Sequence, residues 1–173
     1  MMVVKEFTER GTKMTDAVLK RVAIRKYTAE KVSEDDVKAL IAAFQASPCG
    51  MHQADVMQMT VVEDENLLSE IEQVTSNACY NAPLLFIINV KKGNEFGERD
   101  ASVAAENLMV EAAALNLGSV YLMNAASVLN SAEDLEQKLE VPEDFETSVI
   151  VACGHAAEQP DDDRSNRYKV IRK

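Results

Sequence analysis

The strongest constraint on this chain's fold is the segment 84–90, Leu-Leu-Phe-Ile-Ile-Asn-Val, its longest nearly unbroken apolar run. Branched and aromatic residues in a run of this length, bounded by Asn81-Ala82-Pro83 and by Lys91-Lys92-Gly93, read as a strand. The run lacks polar alternation, so neither face can look onto water. The segment is therefore predicted as a central strand with helices packed over both of its faces.

The flanking sequence supplies those covers. Ser33 and Asp36 have the spacing of a capping box, and Val37, Leu40, Ile41 and Phe44 then recur at helical spacing until Ser47-Pro48 stops the helix. Thr15 is placed to cap an earlier helix, with Val18 and Val22 four apart, that ends near Ile24. Residues 57–62 read as a strand, 65–75 as a helix with Leu67, Leu68, Ile71 and Val74 inward, and 101–117 as a long Ala-rich helix closed by Gly118. A strand over 119–123 follows, then a helix opened by Ser131 and Asp134 and carrying Leu135 and Leu139, then a buried strand over 147–153. Residues 1–14 are expected as an N-terminal extension and 15–173 as a single domain, with a polar tail from about residue 155.

Alternating helices and strands imply a sheet covered on both faces, and the pattern alone favours a parallel, doubly wound one. No GxGxxG or GxxxxGK[ST] loop follows any strand, so the phosphate cradles of dinucleotide and nucleoside triphosphate folds are missing.

Charge narrows the partners. With 18 Lys plus Arg against 29 Asp plus Glu, the net charge is -11, a repulsive field for nucleic acid. No stretch approaches the roughly 20 apolar residues of a membrane span, and the opening residues lack a signal peptide's apolar block, so a cytoplasmic protein is expected. Cys49, Cys79 and Cys153, with only His52 and His155 to join them, form no zinc pattern and are read as reduced thiols. Neither histidine lies in a recognisable nucleophile motif, which makes hydrolysis a weak reading.

A series of short motifs remains. Arg21-Val22-Ala23-Ile24-Arg25-Lys26-Tyr27 resembles the opening signature of the nitroreductase family, Arg-Arg-Ser-x-Arg-x-Phe/Tyr. Ser47-Pro48-Cys49-Gly50-Met51-His52 is similar to the family's Pro-Ser-x-x-Asn turn, with His52 where Asn is usual and Ala54-Asp55-Val56 in place of Gln-Pro-Trp. Asn81-Ala82-Pro83, Asp100-Ala101, Glu106-Asn107-Leu108, Leu117-Gly118-Ser119 and Gly154-His155-Ala156-Ala157-Glu158 continue the resemblance in order.

That resemblance implies an α+β, three-layer fold with a mixed, mostly antiparallel sheet flanked by helices, in place of the parallel sheet. It also implies an intertwined homodimer with FMN at the interface, the helix over 101–117 being central to the dimer. Arg21, Val22, Ala23 and Arg25 would stand at the ribityl-phosphate end, because a phosphate dianion needs fixed, desolvated donors. Pro48, Cys49, Gly50 and His52 would form the turn against the flavin, and Tyr121, Leu122, Met123 and Asn124 would bring backbone amides to its reactive edge. Arg164 and Arg167 match late basic positions that reach the phosphate.

The implied activity is hydride transfer from NAD(P)H and reduction of a small aromatic acceptor, such as a nitroaromatic or quinone, in a ping-pong cycle that demands no protein acid or base. The departures at His52 and at 54–56 leave open a flavin- or ligand-binding dimer with little or no turnover. Met51, Met57, Met59, Met109 and Met123 are either lining for an adaptable cleft or core filler.

Overall fold

A computed structural model describes residues 13–162, 164 and 167–173; the expected N-terminal extension lies outside the described residues up to position 12. Among the described residues the sheet has four strands in the order β1-β2-β4-β3: β1 Met57–Val62, β2 Leu84–Lys91, β3 Gly118–Leu122 and β4 Phe145–Gly154. All three pairings are antiparallel, which replaces the parallel sheet that the pattern alone suggested. Among the described residues, a parallel element enters only at the outer edge, where Ala23 forms a single bridge to Ser119 on β3.

The apolar strand occupies the interior as its composition requires, with β1 on one side, β4 on the other and every residue from Leu84 to Val90 buried. Its alternate side chains enter two cores. Leu84, Phe86, Ile88 and Val90 pack beneath α2 (Glu34–Gln45) and α4 (Gly97–Ala114), together with Leu40, Phe44, Ala104 and Leu108. Leu85 and Ile87 face the other layer, built from α3 (Glu65–Val74), α5 (Met123–Leu129) and α6 (Glu133–Lys138) around Ile71, Leu129, Leu135 and Leu139. The outcome is the three-layer α+β arrangement that the resemblance implied.

Local signals succeed where the chain settles matters locally. Ser33 caps α2, its Oγ accepting the Asp36 N–H at 3.2 Å and donating to the Asp36 carboxylate at 2.7 Å. They fail in four places. Helix α1 (Lys13–Lys20) stops before Arg21 instead of running to Ile24, because Ala23 pairs with Ser119 and the Ile24 N–H donates to the Ser119 carbonyl at 3.0 Å. Gly118 makes this approach possible, since a Cβ there would lie 2.8 Å from Ile24 side-chain carbons.

Helix α5 begins directly after β3 with no turn residue between them, at a place where the sequence carries no helix-start signal. Ser131 and Asp134 do not form the expected box: Ala132 is the N-cap of α6, without a side-chain cap. The long helix also starts earlier than expected, at Gly97, and closes at Ala114, with Leu115 to Gly118 leading into β3.

Candidate functional site

Helix α4 is the template on which the predicted site residues are arranged. Over residues 100–107, roughly 10 Å of axis at 1.5 Å per residue, it holds three separate pieces of the chain. Asp100 accepts the Gly50 N–H, and Asn107 donates to the Ala43 carbonyl and to Ser47 Oγ, so this flank carries the 47–52 turn. Ser102 Oγ and the Tyr121 hydroxyl are hydrogen bonded at 3.0 Å, and Glu106 pairs with Arg21 Nε at 3.4 Å. Ser102 and Glu106 are one turn apart and share a second flank.

The two flanks are separated by roughly 130° around the helix axis, at 3.6 residues per turn. Between them, on the solvent side, stand Val103, 42% exposed, and half-buried Val110. Helix α1 packs beside α4 and adds Val18 and Leu19, the latter 70% exposed. One copy of the chain thus displays two sets of the residues expected at the site, on either side of an apolar ridge.

At the flank of Ser102 and Glu106, the segment 21–28 is not helical and is fastened on one side to Ser119 and on the other to residues 155–158. The Arg25 N–H donates to Glu158 Oε1 at 2.6 Å, the Ala157 N–H to the Lys26 carbonyl at 2.8 Å and the Thr28 N–H to the His155 carbonyl at 2.9 Å. Tyr27 donates its hydroxyl to the Ile24 carbonyl at 2.7 Å, and burial pushes its titration upward. Arg21 and Arg25 therefore do not share a helical face: the Arg21 side chain is 21% exposed and turned toward α4, whereas Arg25 is exposed. Arg164 places its guanidinium on the Arg21 and Leu19 carbonyls, the latter at 2.6 Å, and near Asp162. Arg167 makes a two-pronged contact with Asp162, both at 2.9 Å. A cleft of about 280 Å³ opens here, lined by Lys20, Arg21, Val22, Ser119 and Glu158 among others.

Tyr121 and Leu122 close β3, and Met123 and Asn124 open α5. The Leu122 side chain is buried in the second core, so only its backbone is offered to a ligand, while Met123 is 68% exposed.

On the opposite flank, Pro48 is exposed and Cys49 half-buried, and Gly50 opens a short turn of 3₁₀ helix. Met51, 76% exposed, and His52 follow with φ of 53° and 58°. Val56 is buried where the family pattern has its packing aromatic, and Gln53 is engaged by the Asn94 amide at 3.2 Å. Of the five methionines weighed as cleft lining or core, Met109 is core and Met57 and Met59 pack against it, whereas Met51 and Met123 are exposed. Sequence reasoning did not single out Asp100, Glu106 or Glu158 as site residues; each acts on a segment far away in the chain, which no local pattern reveals.

The three cysteines are free thiols, Cys49 half-buried and the other two buried. Burial, reinforced by Glu72, pushes the Cys79 thiol up to about 12, and burial pushes Cys153 up to about 12. A chromogenic disulfide reagent should therefore find one reactive thiol per native chain and three after denaturation without reductant; recovery of a single thiol in the denatured protein would reveal a disulfide. Because the folded thiols titrate above the unfolded value of about 8.5, their contribution to stability is complete below that pH and is lost as pH rises toward 12.

A family model described as the nitroreductase family matches residues 53–155. The NADPH-flavin oxidoreductase of Vibrio harveyi is 24% identical over 165 residues, covering 84% of this chain and 67% of that protein. Among solved structures, a nitroreductase with bound FMN from Bacteroides fragilis superposes with a TM-score of 0.83 at 20% identity, covering 94% of this chain and all (100%) of that one. The Vibrio harveyi NADPH:FMN oxidoreductase complexed with NAD+ superposes at 0.73 with 20% identity, covering 93% and 80%.

Proposed function

Because the chain belongs to the nitroreductase family, we propose that it is an FMN-dependent oxidoreductase that takes hydride from NAD(P)H and reduces a small aromatic acceptor, a nitroaromatic or quinone, in a ping-pong cycle. The observation that carries this reading is the division of the site residues between two flanks of one solvent-facing helix, with a half-buried guanidinium on one and a pinned turn on the other.

The residues present fit FMN. Arg21 offers a partly desolvated, permanently charged fork to a phosphate dianion. Val22 lines the cleft beside it, Ala23 is held to Ser119 at the cleft wall, and the Arg25 side chain is exposed. Arg164 acts through Arg21, because its donors already hold the Leu19 and Arg21 carbonyls. When bound, FMN supplies the hydride and electron transfer itself.

The chain's own work is then to hold and orient. The backbone of Leu122, Met123 and Asn124 offers N–H groups at the reactive edge; Pro48, Cys49, Gly50 and His52 wall the ring; Met51 and Met123 give an adaptable apolar rim for the acceptor. No side chain is asked to serve as general acid or base.

Neither flank closes a pocket alone, and a second copy seated on the Val103–Val110 ridge would lie beside both. A homodimer completes the site, so light scattering should give twice the 19.1 kDa chain mass. The decisive measurement is anaerobic titration of the FMN-reconstituted protein with NADH and NADPH: the yellow absorbance should bleach and return on addition of a quinone. Colour that neither nucleotide bleaches would favour a flavin-binding dimer without turnover, a reading motivated by His52 and by Ala54-Asp55-Val56. A colourless protein that FMN does not stabilise would exclude both.

A further inference from the structure

The 47–52 turn is tied to α4 at two points, and the second tie is unusual in its chemistry. The Gly50 N–H donates to both carboxylate oxygens of Asp100, at 2.9 and 3.1 Å. Asp100 is only 8% exposed. An acidic residue in the first turn of a helix serves the helix equally well when solvated, so burying the carboxylate to reach a single backbone N–H needs another reason.

Gly50 is pressed against α4 as well, since a Cβ at this position would lie 2.5 Å from the Phe96 ring. Met51 and His52 follow with left-handed φ of 53° and 58°. Residues with side chains hold such values only where the surroundings over-determine them. The anchor at Gly50 immediately precedes the strain it must hold.

We infer that Asp100 is a positioning residue for the ring end of the cofactor: by gripping the Gly50 N–H it holds Met51 and His52 in place and presents the turn to a bound flavin that it does not itself touch. The flavin half of this inference rests on the function proposed above; the anchoring half does not.

The two halves can be read separately. Cys49 adjoins the anchor and, with Cys79 and Cys153 buried, reports on the turn through its native thiol reactivity. In Asp100→Ala the Cys49 rate should rise several-fold, and FMN and riboflavin should both weaken by the same factor, about tenfold, as expected for loss of one charge-assisted hydrogen bond. Asp100→Asn keeps an acceptor oxygen but loses the charge, so it should fall between wild type and Asp100→Ala, with an intermediate rise in the Cys49 rate and a loss of about threefold in affinity for both flavins. An unchanged Cys49 rate overturns the anchor, and weakening of FMN alone overturns the ring-end assignment. Should Asp100→Ala fail to fold, Asp100→Asn decides, since an unaltered Cys49 rate and unaltered riboflavin affinity in that variant count against the inference. A wild-type protein that binds neither flavin sinks the proposed function, and the Cys49 rates then still test the anchor.

Discussion

Arg21→Ala should weaken FMN binding ten- to a hundredfold while leaving riboflavin binding nearly unchanged. The range follows from a charge-assisted contact to a phosphate worth about 1.5 to 3 kcal/mol. Arg21 is preferred over Arg25 for structural reasons: its guanidinium is largely buried against Glu106, whereas the Arg25 side chain is exposed and only its backbone N–H is engaged, by Glu158. Arg25→Ala should accordingly have a smaller effect than Arg21→Ala. Fluorescence titration with both ligands isolates the phosphate contribution, because riboflavin lacks that group. Equal weakening of both ligands by Arg21→Ala would mean that the residue acts through Glu106 and the fold, and the anion-site assignment would fall.

How much of this was legible beforehand varies with the range of the interactions. The central strand could be read because burial on both faces writes itself into every residue of 84–90. Helix α2 could be read because Ser33 and Asp36 settle its start within three residues. The end of α1 could not: Val22, Ala23 and Ile24 are drawn into extended backbone by Ser119 and Gly118, almost a hundred residues later. Helix α5 escaped notice for a related reason, as Ala125, Ala126 and Leu129 are buried by a layer assembled from α3 and α6, with no punctuation at Met123.

The same division runs through the site. The basic residues and the Ser47-Pro48 turn are visible in sequence, but their partners are not. Arg164 looks like another phosphate ligand until its guanidinium is found on the Leu19 and Arg21 carbonyls. Asp100 looks like an ordinary acidic residue near a helix start, and only the fold brings Gly50, fifty positions earlier, against its carboxylate. Glu158 reads as part of a polar tail, yet it fixes the backbone of Arg25. In each case the chemistry is local and the geometry that gives it a role is not.

Val103→Asp should convert the protein to a monomer and reduce flavin affinity by at least about a hundredfold, without unfolding the chain. Val103 stands on the solvent side of α4, midway between the flank that holds Gly50 and the flank that holds Arg21 and Tyr121, and it contributes to neither core. A carboxylate at this place therefore costs the single chain little. In an interface it is different: an unpaired charge removed from water costs several kcal/mol, and a two-fold assembly carries it twice. About 3 kcal/mol already exceeds a hundredfold in a binding constant, and a site completed by the second copy is lost with the dimer. Circular dichroism should match wild type, light scattering should give the single-chain mass, and Val103→Ile should behave as wild type in both assembly and flavin binding. A Val103→Asp protein that is monomeric yet binds FMN with undiminished affinity would show that one chain suffices for the site, and the reading of two half-sites across α4 would have to be abandoned.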